Sequence, residues 1–322
     1  MKPSVLTVRD WLTRWLDNVT AISVSPKTLE RYRQLVDVQI TLHLGALALQ
    51  KLRPSHIAWW HANLLKDGRS GGGALSARTV GHAHRVLSKA LGDAAKIEIV
   101  PRNVALGLSP PAVEEREIEI LTPDQIGELL AKIDGHVLKP LVVTALGTGL
   151  RRGELCALRW SRVDLDAGTL RVEESLEETK KGLRFKAPKS RNGRRTVSLP
   201  PTVVDALRAH RRARLEFQVA LGLGKLSEDA LVFCRPDGTP MSPDKLSWDW
   251  RRVVSARKLP KVTFHALRHS HVSALINSGL DVFSVSRRIG HGSAALTLRT
   301  YTHLFTSKDA QAADAIEAAL TR

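Results

Sequence analysis

A proline-rich break interrupts the helical pattern of this chain. The run Gly107-Leu-Ser-Pro-Pro111 ends a helix, and the charged stretch Val113-Glu-Glu-Arg-Glu117 follows it. Proline lacks a backbone N–H and fixes φ, so adjacent prolines followed by charge are typical of a domain boundary. A chain of 322 residues is long enough for two domains. We predict a first domain at 1–108, a linker at 109–119 and a second domain at 120–322.

The first segment carries helix signals throughout. Thr7 stands three residues before an aspartate, as in a capping box, and Trp11 and Trp15 then repeat at helical spacing. Ser76 precedes a long amphipathic stretch and is a favourable N-cap residue. We therefore expect residues 5–105 to form a compact, basic, all-helical unit.

The second segment mixes helices with short strands. Thr122 is followed by a proline and, three residues on, by a glutamine, which predicts a helix start. Gly147 and Gly149 break the next helix, and short runs between residues 169 and 199 predict an antiparallel sheet of two or three strands, with TLRVEES as its first strand. Later helices are predicted at Val203–Phe217, Pro243–Ser255, His265–Ser278 and Ser307–Leu320. The predicted fold class is mainly α with a small antiparallel β-sheet.

The charge balance indicates a polyanionic partner. There are 49 Lys and Arg residues against 32 Asp and Glu, a net charge of +17. The excess is +8 in residues 1–110 and +9 in the remainder, so it is not confined to a tail. Such a charge favours nucleic acid, and the alternative is a solvated basic surface that keeps the protein soluble.

Several classes of protein are excluded by composition. Two cysteines, Cys156 and Cys234, provide neither a disulfide framework nor a four-cysteine zinc site, and they favour a reducing cytoplasm. The N-terminal stretch has charges within its apolar part, unlike a signal peptide. No run approaches the 18 or so apolar residues of a membrane span. We expect a cytoplasmic protein with no membrane contact.

Arg151 and Glu154 form the first candidate cluster. Arg151 follows a Gly-x-Gly break and begins a helix, where free N–H groups favour anions. Glu154 lies three residues on and can orient the guanidinium. The alternative is an ordinary surface ion pair on a helix.

The second cluster places two histidines and an arginine on one helix. His265 and Arg268 are three residues apart and share a face, which offers an imidazole and a fork of donors suited to phosphate. His265 and His269 have metal-ligand spacing, but Ala266 stands where an HExxH site needs glutamate. We therefore expect no metal at this site.

The third cluster comprises His291 and Tyr301. Tyr301 is one of two tyrosines in the chain and stands in a polar, threonine-rich stretch rather than on an apolar stripe. A free phenol, with a pKa of about 10, is a poor nucleophile at neutral pH. Neighbouring guanidinium and imidazolium groups would favour the phenolate. Taken singly, a tyrosine is usually structural.

These motifs form an ordered set. Gly-Leu-Arg-x-Gly-Glu-Leu is followed by a basic strand turn, His-x-Leu-Arg-His, Gly-His and, ten residues later, Tyr. Over residues 5–322 this order resembles the tyrosine recombinase family of the phage integrase type. The resemblance implies an all-helical core-binding domain followed by an α+β catalytic domain with a C-terminal helix.

The resemblance also implies roles for single residues. Arg151 and Arg268 match the two catalytic arginines, and Tyr301 matches the nucleophile. His265 matches the histidine of the HxxR motif, and His291 matches the later histidine or tryptophan position.

The family also uses a lysine in a strand turn of the catalytic domain and an acid beside the first arginine. Lys189 matches the lysine best, with Lys186 as second choice. Glu154 resembles the acid.

The implied chemistry is DNA strand transfer without metal, cofactor or ATP. Tyr301 would attack a phosphodiester, form a 3′-phosphotyrosyl link and release a 5′-hydroxyl. Lys189 would protonate the leaving oxygen, His265 would accept the phenol proton, and His291 would donate to the phosphate.

The implied partner is double-stranded DNA at recombination sites, held between two basic domains. The expected phosphate contacts, each of which has a solvated face as its alternative, are Arg31, Arg33, Arg78, Arg85 and Lys89. Recombination of two duplexes implies a tetramer on DNA, with accessory DNA-bending or directionality factors as further partners. The C-terminal helix, with Ala312, Ile316 and Leu320 on one face, would dock on a neighbouring protomer or pack within its own chain.

Other functions stay open at this point. Within the family, a Xer-like dimer resolvase is the main alternative, because no arm-binding domain fits before Thr7 unless a preceding segment is missing. A type IB topoisomerase shares the chemistry, and a catalytically inactive DNA-binding member shares the fold. A rolling-circle nuclease is suggested only by the pair His82 and His84.

Overall fold

The computed structural model describes residues 6–69, 71–114, 118–188, 191–222, 224–302 and 316–321. The chain divides into two compact units, Met1–Arg116 and Glu117–Arg322. The division lies inside the predicted linker at 109–119, whose limits stay a prediction. No helix in these described stretches is long and apolar enough to cross a membrane.

The first unit is helical, as the periodicity predicts. Thr7 and Asp10 form the capping box, and the Ser76 hydroxyl accepts from the backbone N–H of Thr79. Two π-helical segments, Trp15–Thr20 and Val36–Ile40, interrupt the α-helical pattern. The α-helices are α1 (Val8–Arg14), α2 (Ala21–Ser23), α3 (Pro26–Leu35), α4 (Thr41–Leu44), α5 (Pro54–Asp67) and α6 (Ala77–Lys96).

Tryptophans form the centre of this first core. Trp11, Trp15 and Trp60 are buried, and each indole N–H donates a hydrogen bond. Their acceptors are the carbonyl of Ala90, the carboxylate of Asp93 and the carbonyl of Gln39, at 3.0, 2.9 and 2.7 Å. Since a buried indole N–H needs a partner, these bonds fix α1 and α5 in place.

The second unit surrounds one buried helix. Its helices are α7 (Pro123–Lys132), α8 (Lys139–Thr148), α9 (Arg152–Ala157), α10 (Pro201–Ala220), α11 (Pro243–Ala256), α12 (Phe264–Asn277), α13 (Val282–Ile289) and α14 (Ala294–Tyr301). Helix α12 contacts α8, α11 and α13, and it buries both apolar residues such as Leu267 and polar ones such as Arg268 and Ser270. The Ser270 hydroxyl accepts from the backbone N–H of Leu121, which ties the start of the unit to this helix. Polar groups on α12 therefore lie in the interior of the second unit.

Within the described residues the strands form two sheets, so the prediction of one sheet of two or three strands is wrong. They are β1 (Val163–Asp164), β2 (Thr169–Val172), β3 (Ser175–Thr179), β4 (Gly182–Lys186) and β5 (Arg195–Ser198). The first sheet has the order β1-β2-β5, and the second pairs β3 with β4, all antiparallel. The run TLRVEES divides between β2 and β3 because its two halves pair with different strands, and at the break Glu173 and Glu174 form ion pairs with Arg162 and Arg159, respectively.

Candidate active site

Arg151 lies at the N-terminus of α9, where the sequence predicts it. Its guanidinium donates to a carboxylate oxygen of Glu154 at 2.8 Å and to the carbonyl of Gly290 at 2.9 Å. Its backbone N–H donates to the other oxygen of Glu154 at 2.9 Å. The pairing is therefore more than a surface contact, because Glu154 is only 4% exposed.

Glu154 holds a second arginine that the sequence analysis missed. The Arg195 guanidinium donates to both carboxylate oxygens of Glu154, at 2.9 and 3.3 Å, and its side chain is 6% exposed. Burial favours a raised pKa for Glu154, but the hydrogen bonds and charges of Arg195 and Arg151 hold the pKa below its ordinary value. Glu154 is therefore a buried carboxylate that fixes two guanidinium groups.

Arg268 extends from α12 and is 3% exposed. It donates to the carbonyl of Gly149 at 2.5 Å and to the carbonyl of Ile289 at 2.8 Å. Burial, followed by the charge of Arg151, lowers the pKa of Arg268 to about 9. The guanidinium still carries its charge at neutral pH, as an anion-binding group must.

Two glycine caps supply the carbonyls that orient these arginines. Gly149 and Gly290 follow α8 and α13 with φ of +64° and +68°, the left-handed region that glycine adopts without strain. A Cβ on Gly149 would lie 2.5 Å from the ring of His271, and one on Gly290 would lie 2.7 Å from the guanidinium of Arg195. Arg151 binds the carbonyl of Gly290 while Arg268 binds that of the preceding residue, so the end of α13 holds both guanidinium groups together.

Tyr301 is the last residue of α14 and is 1% exposed. Its ring packs in an apolar cluster that includes Val272, Val285 and Ile289. Burial raises the pKa of Tyr301 to about 12, and the positive charge of Arg268 opposes this rise. The structure therefore brings the phenol close enough to Arg268, within one chain, for their charges to interact.

The Tyr301 hydroxyl hydrogen-bonds to His269, which the sequence analysis considered only as a metal ligand. The distance from Oη to Nδ1 of His269 is 2.5 Å. The His269 ring also meets the ring of His265 edge-on, with centroids 4.7 Å apart and planes at 88°. Among the residues with described positions, no group of three histidine, cysteine or acidic side chains is arranged to hold a metal ion.

His265 and His291 flank the arginines. His265 is exposed on the first turn of α12, and Nδ1 of His291 hydrogen-bonds to the hydroxyl of Thr297 at 2.8 Å. Desolvation first, and then the charge of Arg268, lower the pKa of both imidazoles to about 4. Both rings are therefore neutral at pH 7 and have a free capacity to accept a proton or a hydrogen bond.

Neither candidate lysine is placed against the arginines by the described residues. Lys189 lies outside them, so its role stays a prediction. Lys186, at the end of β4, forms an ion pair with Glu177 of β3. The ammonium group of Lys186, the second candidate for the lysine, is therefore engaged within the β3–β4 pair.

Three of the five candidate DNA contacts cluster in the first unit. Desolvation, followed by the charges of Arg85, Arg31 and Arg78, lowers the pKa of His82, so these three arginines surround one ring. The other two make ion pairs with acids of the same unit: Arg33 with Asp17 at 2.7 Å and Lys89 with Asp93 at 3.4 Å.

Two other sequence features do not join the arginine site. His84 hydrogen-bonds to His61 at 3.1 Å inside the first core, away from the exposed His82, so the two histidines of the nuclease-like pair do not share a site. Residues 316–320 are helical, with Ile316 and Leu320 exposed, while Ala312 lies outside the described residues.

The strand pattern could have predicted that the side chain of Arg195 is buried. Arg195 lies two residues before Val197 on β5, and side chains two apart on a strand share a face. Val197 is buried, so an arginine on the same face needs a buried acid as its partner. His269 had no comparable signal, because only the fold brings Tyr301 to it.

Loss of the Glu154 carboxylate is expected to destabilise the second unit strongly. Glu154→Ala leaves the buried guanidinium of Arg195 unpaired, which costs about 3–5 kcal/mol in the free energy of unfolding. Because the pKa of Glu154 is lowered in the folded state, this contribution is present above the ordinary value of 4.5 and disappears as acid protonates the folded carboxylate. Urea unfolding at pH 7 and at pH 4 measures both effects.

Glu173→Ala is the matched control for that experiment. Glu173 pairs with Arg162 at 2.8 Å, but both side chains are more than a third exposed. Such a pair contributes about 1 kcal/mol or less. Equal losses of stability in the two variants would contradict the buried role of Glu154.

Comparisons with known proteins agree with this geometry. The profile described as "Phage integrase family" matches residues 119–308, more than half of the chain, and "Phage integrase, N-terminal SAM-like domain" matches residues 7–65. A protein named "Tyrosine recombinase XerC-like" from Caldanaerobacter subterraneus subsp. tengcongensis is 26% identical over 97% of this chain and 83% of its own length. The ICEBs1 integrase of Bacillus subtilis is 26% identical over 92% of this chain and 79% of its own length.

Solved structures share the fold. The Tn1549 transposon integrase in complex with a circular intermediate DNA has a TM-score of 0.81 at 22% identity, covering 97% of this chain and 99% of that one. A lambda integrase dimer bound to a COC′ core site has a TM-score of 0.66 at 20% identity, covering 90% and 97%. The chain therefore belongs to the phage integrase family and is a tyrosine recombinase of the integrase type, an enzyme of site-specific DNA recombination.

Proposed function

We propose that this recombinase cleaves and rejoins duplex DNA with Tyr301 as its nucleophile. The observation that carries the proposal is the position of the Tyr301 phenol within one chain: it hydrogen-bonds to His269 and interacts with the charge of Arg268. Arg268 and Arg151 are in turn held by adjacent carbonyls at the end of α13. A phosphodiester at this point would meet a nucleophile and two cations together.

The two arginines stabilise the charge that develops on the phosphate. Attack by the phenol oxygen forms a bond to phosphorus and places negative charge on the non-bridging oxygens. Guanidinium groups fixed by Glu154, Gly149 and the end of α13 need not reorganise as that charge appears. Fixed donors of this kind commonly account for about 10²–10³ in rate each.

Two proton transfers accompany cleavage. The bond from phosphorus to the 5′-oxygen breaks, and that oxygen takes a proton from a general acid, for which Lys189 is the candidate. The phenol must lose its own proton, and the neutral imidazole of His269 contacts it, with the ring of His265 beyond. His291 is the candidate donor to a phosphate oxygen. Attack by a 5′-hydroxyl of another strand reverses the sequence and completes an exchange.

We propose duplex DNA as the partner of both units. Arg31, Arg78 and Arg85 surround His82 on the first unit and would contact phosphates, with Arg33 and Lys89 as further contacts. Exchange between two duplexes requires four active sites, so we propose a tetramer on DNA. Accessory DNA-bending or directionality factors belong to the same proposal.

A cytoplasmic location is proposed from the DNA substrate and the two free cysteines, Cys156 and Cys234. Integration or excision is the proposed direction of the reaction, and resolution of dimers in the manner of Xer proteins is the second candidate. The XerC-like relative favours that second candidate, whereas the integrase relatives favour the first.

A trapped covalent complex tests the reaction. The protein is incubated in EDTA with a nicked duplex that carries a core site selected by binding from random sequences. Loss of the short piece beyond the nick should leave protein joined to the 3′-end. We expect the complex to form without a metal ion, and a requirement for added Mg²⁺ would contradict charge stabilisation by arginines alone.

A further inference from the structure

We infer that His269 is the proton acceptor that activates Tyr301 for attack on DNA. The inference rests on the proposed function, because it takes Tyr301 as the nucleophile. Residue roles matched from sequence motifs give His269 no part in the reaction, and they assign the proton to His265. The geometry gives the direct contact to His269.

The contact has the geometry of proton transfer. Oη of Tyr301 lies 2.5 Å from Nδ1 of His269, which is shorter than the usual hydrogen bond between neutral groups. The two rings are tilted at 56° with centroids 5.6 Å apart, so they meet through these polar atoms rather than by stacking. His269 lies on the buried helix α12 and Tyr301 in the apolar cluster, so packing holds both partners.

Burial, together with the groups around it, keeps His269 neutral. On α12 the His269 ring lies near the ring of His265 and the guanidinium of Arg268. From α14 the phenol of Tyr301 contacts it, and His291 interacts with it electrostatically. Desolvation, followed by the interactions with His265 and Arg268, lowers the pKa of His269 to about 4. A neutral ring with its proton on Nε2 leaves the Nδ1 lone pair directed at the hydroxyl.

Substrate binding would reverse this preference. A phosphate between Arg151 and Arg268 brings negative charge next to the imidazole and offsets the charge of Arg268, which raises the pKa of His269 from its lowered value. The phenol proton then moves from Oη to Nδ1, the phenolate oxygen bonds to phosphorus, and the 5′-oxygen leaves with a proton from the general acid. When a 5′-hydroxyl attacks the phosphotyrosine, its proton passes to the general acid, which lost one during cleavage, and Nδ1 returns its proton to the departing phenolate.

The test uses the fact that the chain has two tyrosines, Tyr32 and Tyr301. In a Tyr32→Phe background, fluorotyrosine incorporation places a more acidic phenol only at residue 301. We compare His269→Asn with the unchanged residue in single-turnover cleavage. Asparagine keeps an acceptor oxygen near the place of Nδ1 but cannot take a proton at neutral pH. Folding and DNA binding are checked by thermal unfolding and by gel shift.

We expect His269→Asn to slow cleavage by about 10²-fold, within the range for general base catalysis, with DNA binding unchanged. Fluorotyrosine should restore most of this loss, and the rate in the variant should rise with pH as the phenol ionises. His265→Asn should gain less from fluorotyrosine. A wild-type rate in His269→Asn, or a slow rate that fluorotyrosine does not restore, would overturn the inference. If the unchanged protein forms no covalent complex, the proposed function fails instead.

Discussion

Tyr301→Phe is expected to abolish the covalent protein–DNA complex. The substitution removes only the attacking oxygen, and the ring keeps its packing against Val272, Val285 and Ile289. Loss of the hydrogen bond to His269 should cost about 1 kcal/mol in the free energy of unfolding, too little to unfold the chain. The variant should therefore bind DNA as the unchanged protein does and fail only in cleavage, as read from denaturing gels of the nicked substrate.

Tyr32→Phe is the control for this experiment. Tyr32 is the other tyrosine, and its ring stacks on Trp15 at 5.9 Å in the first unit. Its hydroxyl has no part in the proposed chemistry, so the covalent complex should form at an undiminished rate. A complex that persists in Tyr301→Phe, or is lost in Tyr32→Phe, would show that the nucleophile is assigned to the wrong residue.

Arg268→Ala is expected to reduce the cleavage rate by about 10²–10³-fold, because it removes a fixed donor from the phosphate site. It also leaves the carbonyls of Gly149 and Ile289 without their partner in the interior. Each unsatisfied buried group costs about 1–3 kcal/mol, so thermal unfolding must accompany the kinetic measurement.

Arg268→Lys distinguishes the effect of the positive charge from that of the paired guanidinium donors. Lysine keeps one positive charge but cannot reproduce two parallel donors, so it cannot hold both carbonyls and a phosphate oxygen. We expect cleavage to stay slow in this variant even where the fold is retained. Arg257→Ala is the control for Arg268→Ala, because it removes one positive charge from an exposed residue at the end of α11. Full cleavage activity in Arg268→Lys would contradict the requirement for the paired guanidinium donors.

Local signals predicted most of the helices. The caps at Thr7, Ser76 and Thr122 form as expected, because each depends only on residues within one turn. The helix predicted at Pro243–Ser255 ends at Ala256, and the one predicted at His265–Ser278 is Phe264–Asn277. Such elements are set by their own side chains.

The sheets were harder because strand pairing is not local. The run TLRVEES by itself predicts one strand, but it divides at Glu173 and Glu174 between two strands whose partners, β5 and β4, lie further along the chain. The π-helical segments at Trp15–Thr20 and Val36–Ile40 likewise had no sequence signal that was recognised.

The candidate site shows the same division. Motif order predicted Arg151, Arg268 and Tyr301 as site residues, and the structure places the three side chains near one another. The buried partners Arg195 and His269 were missed, since Glu154 lies 41 residues from Arg195 and Tyr301 lies 32 from His269. Contacts over such distances depend on how the elements pack, α9 with β5 in one case and α12 with α14 in the other, and not on local sequence.

The linkage itself is the most direct test of the account. The covalent complex is digested with a protease and a nuclease, and the nucleotide-bearing peptide is identified by mass spectrometry. We predict a peptide that contains Tyr301, joined through its phenol to a 3′-phosphate, with a free 5′-hydroxyl on the released strand. A link to any other residue, or to a 5′-phosphate, would contradict attack by Tyr301 on the phosphate held by Arg151 and Arg268.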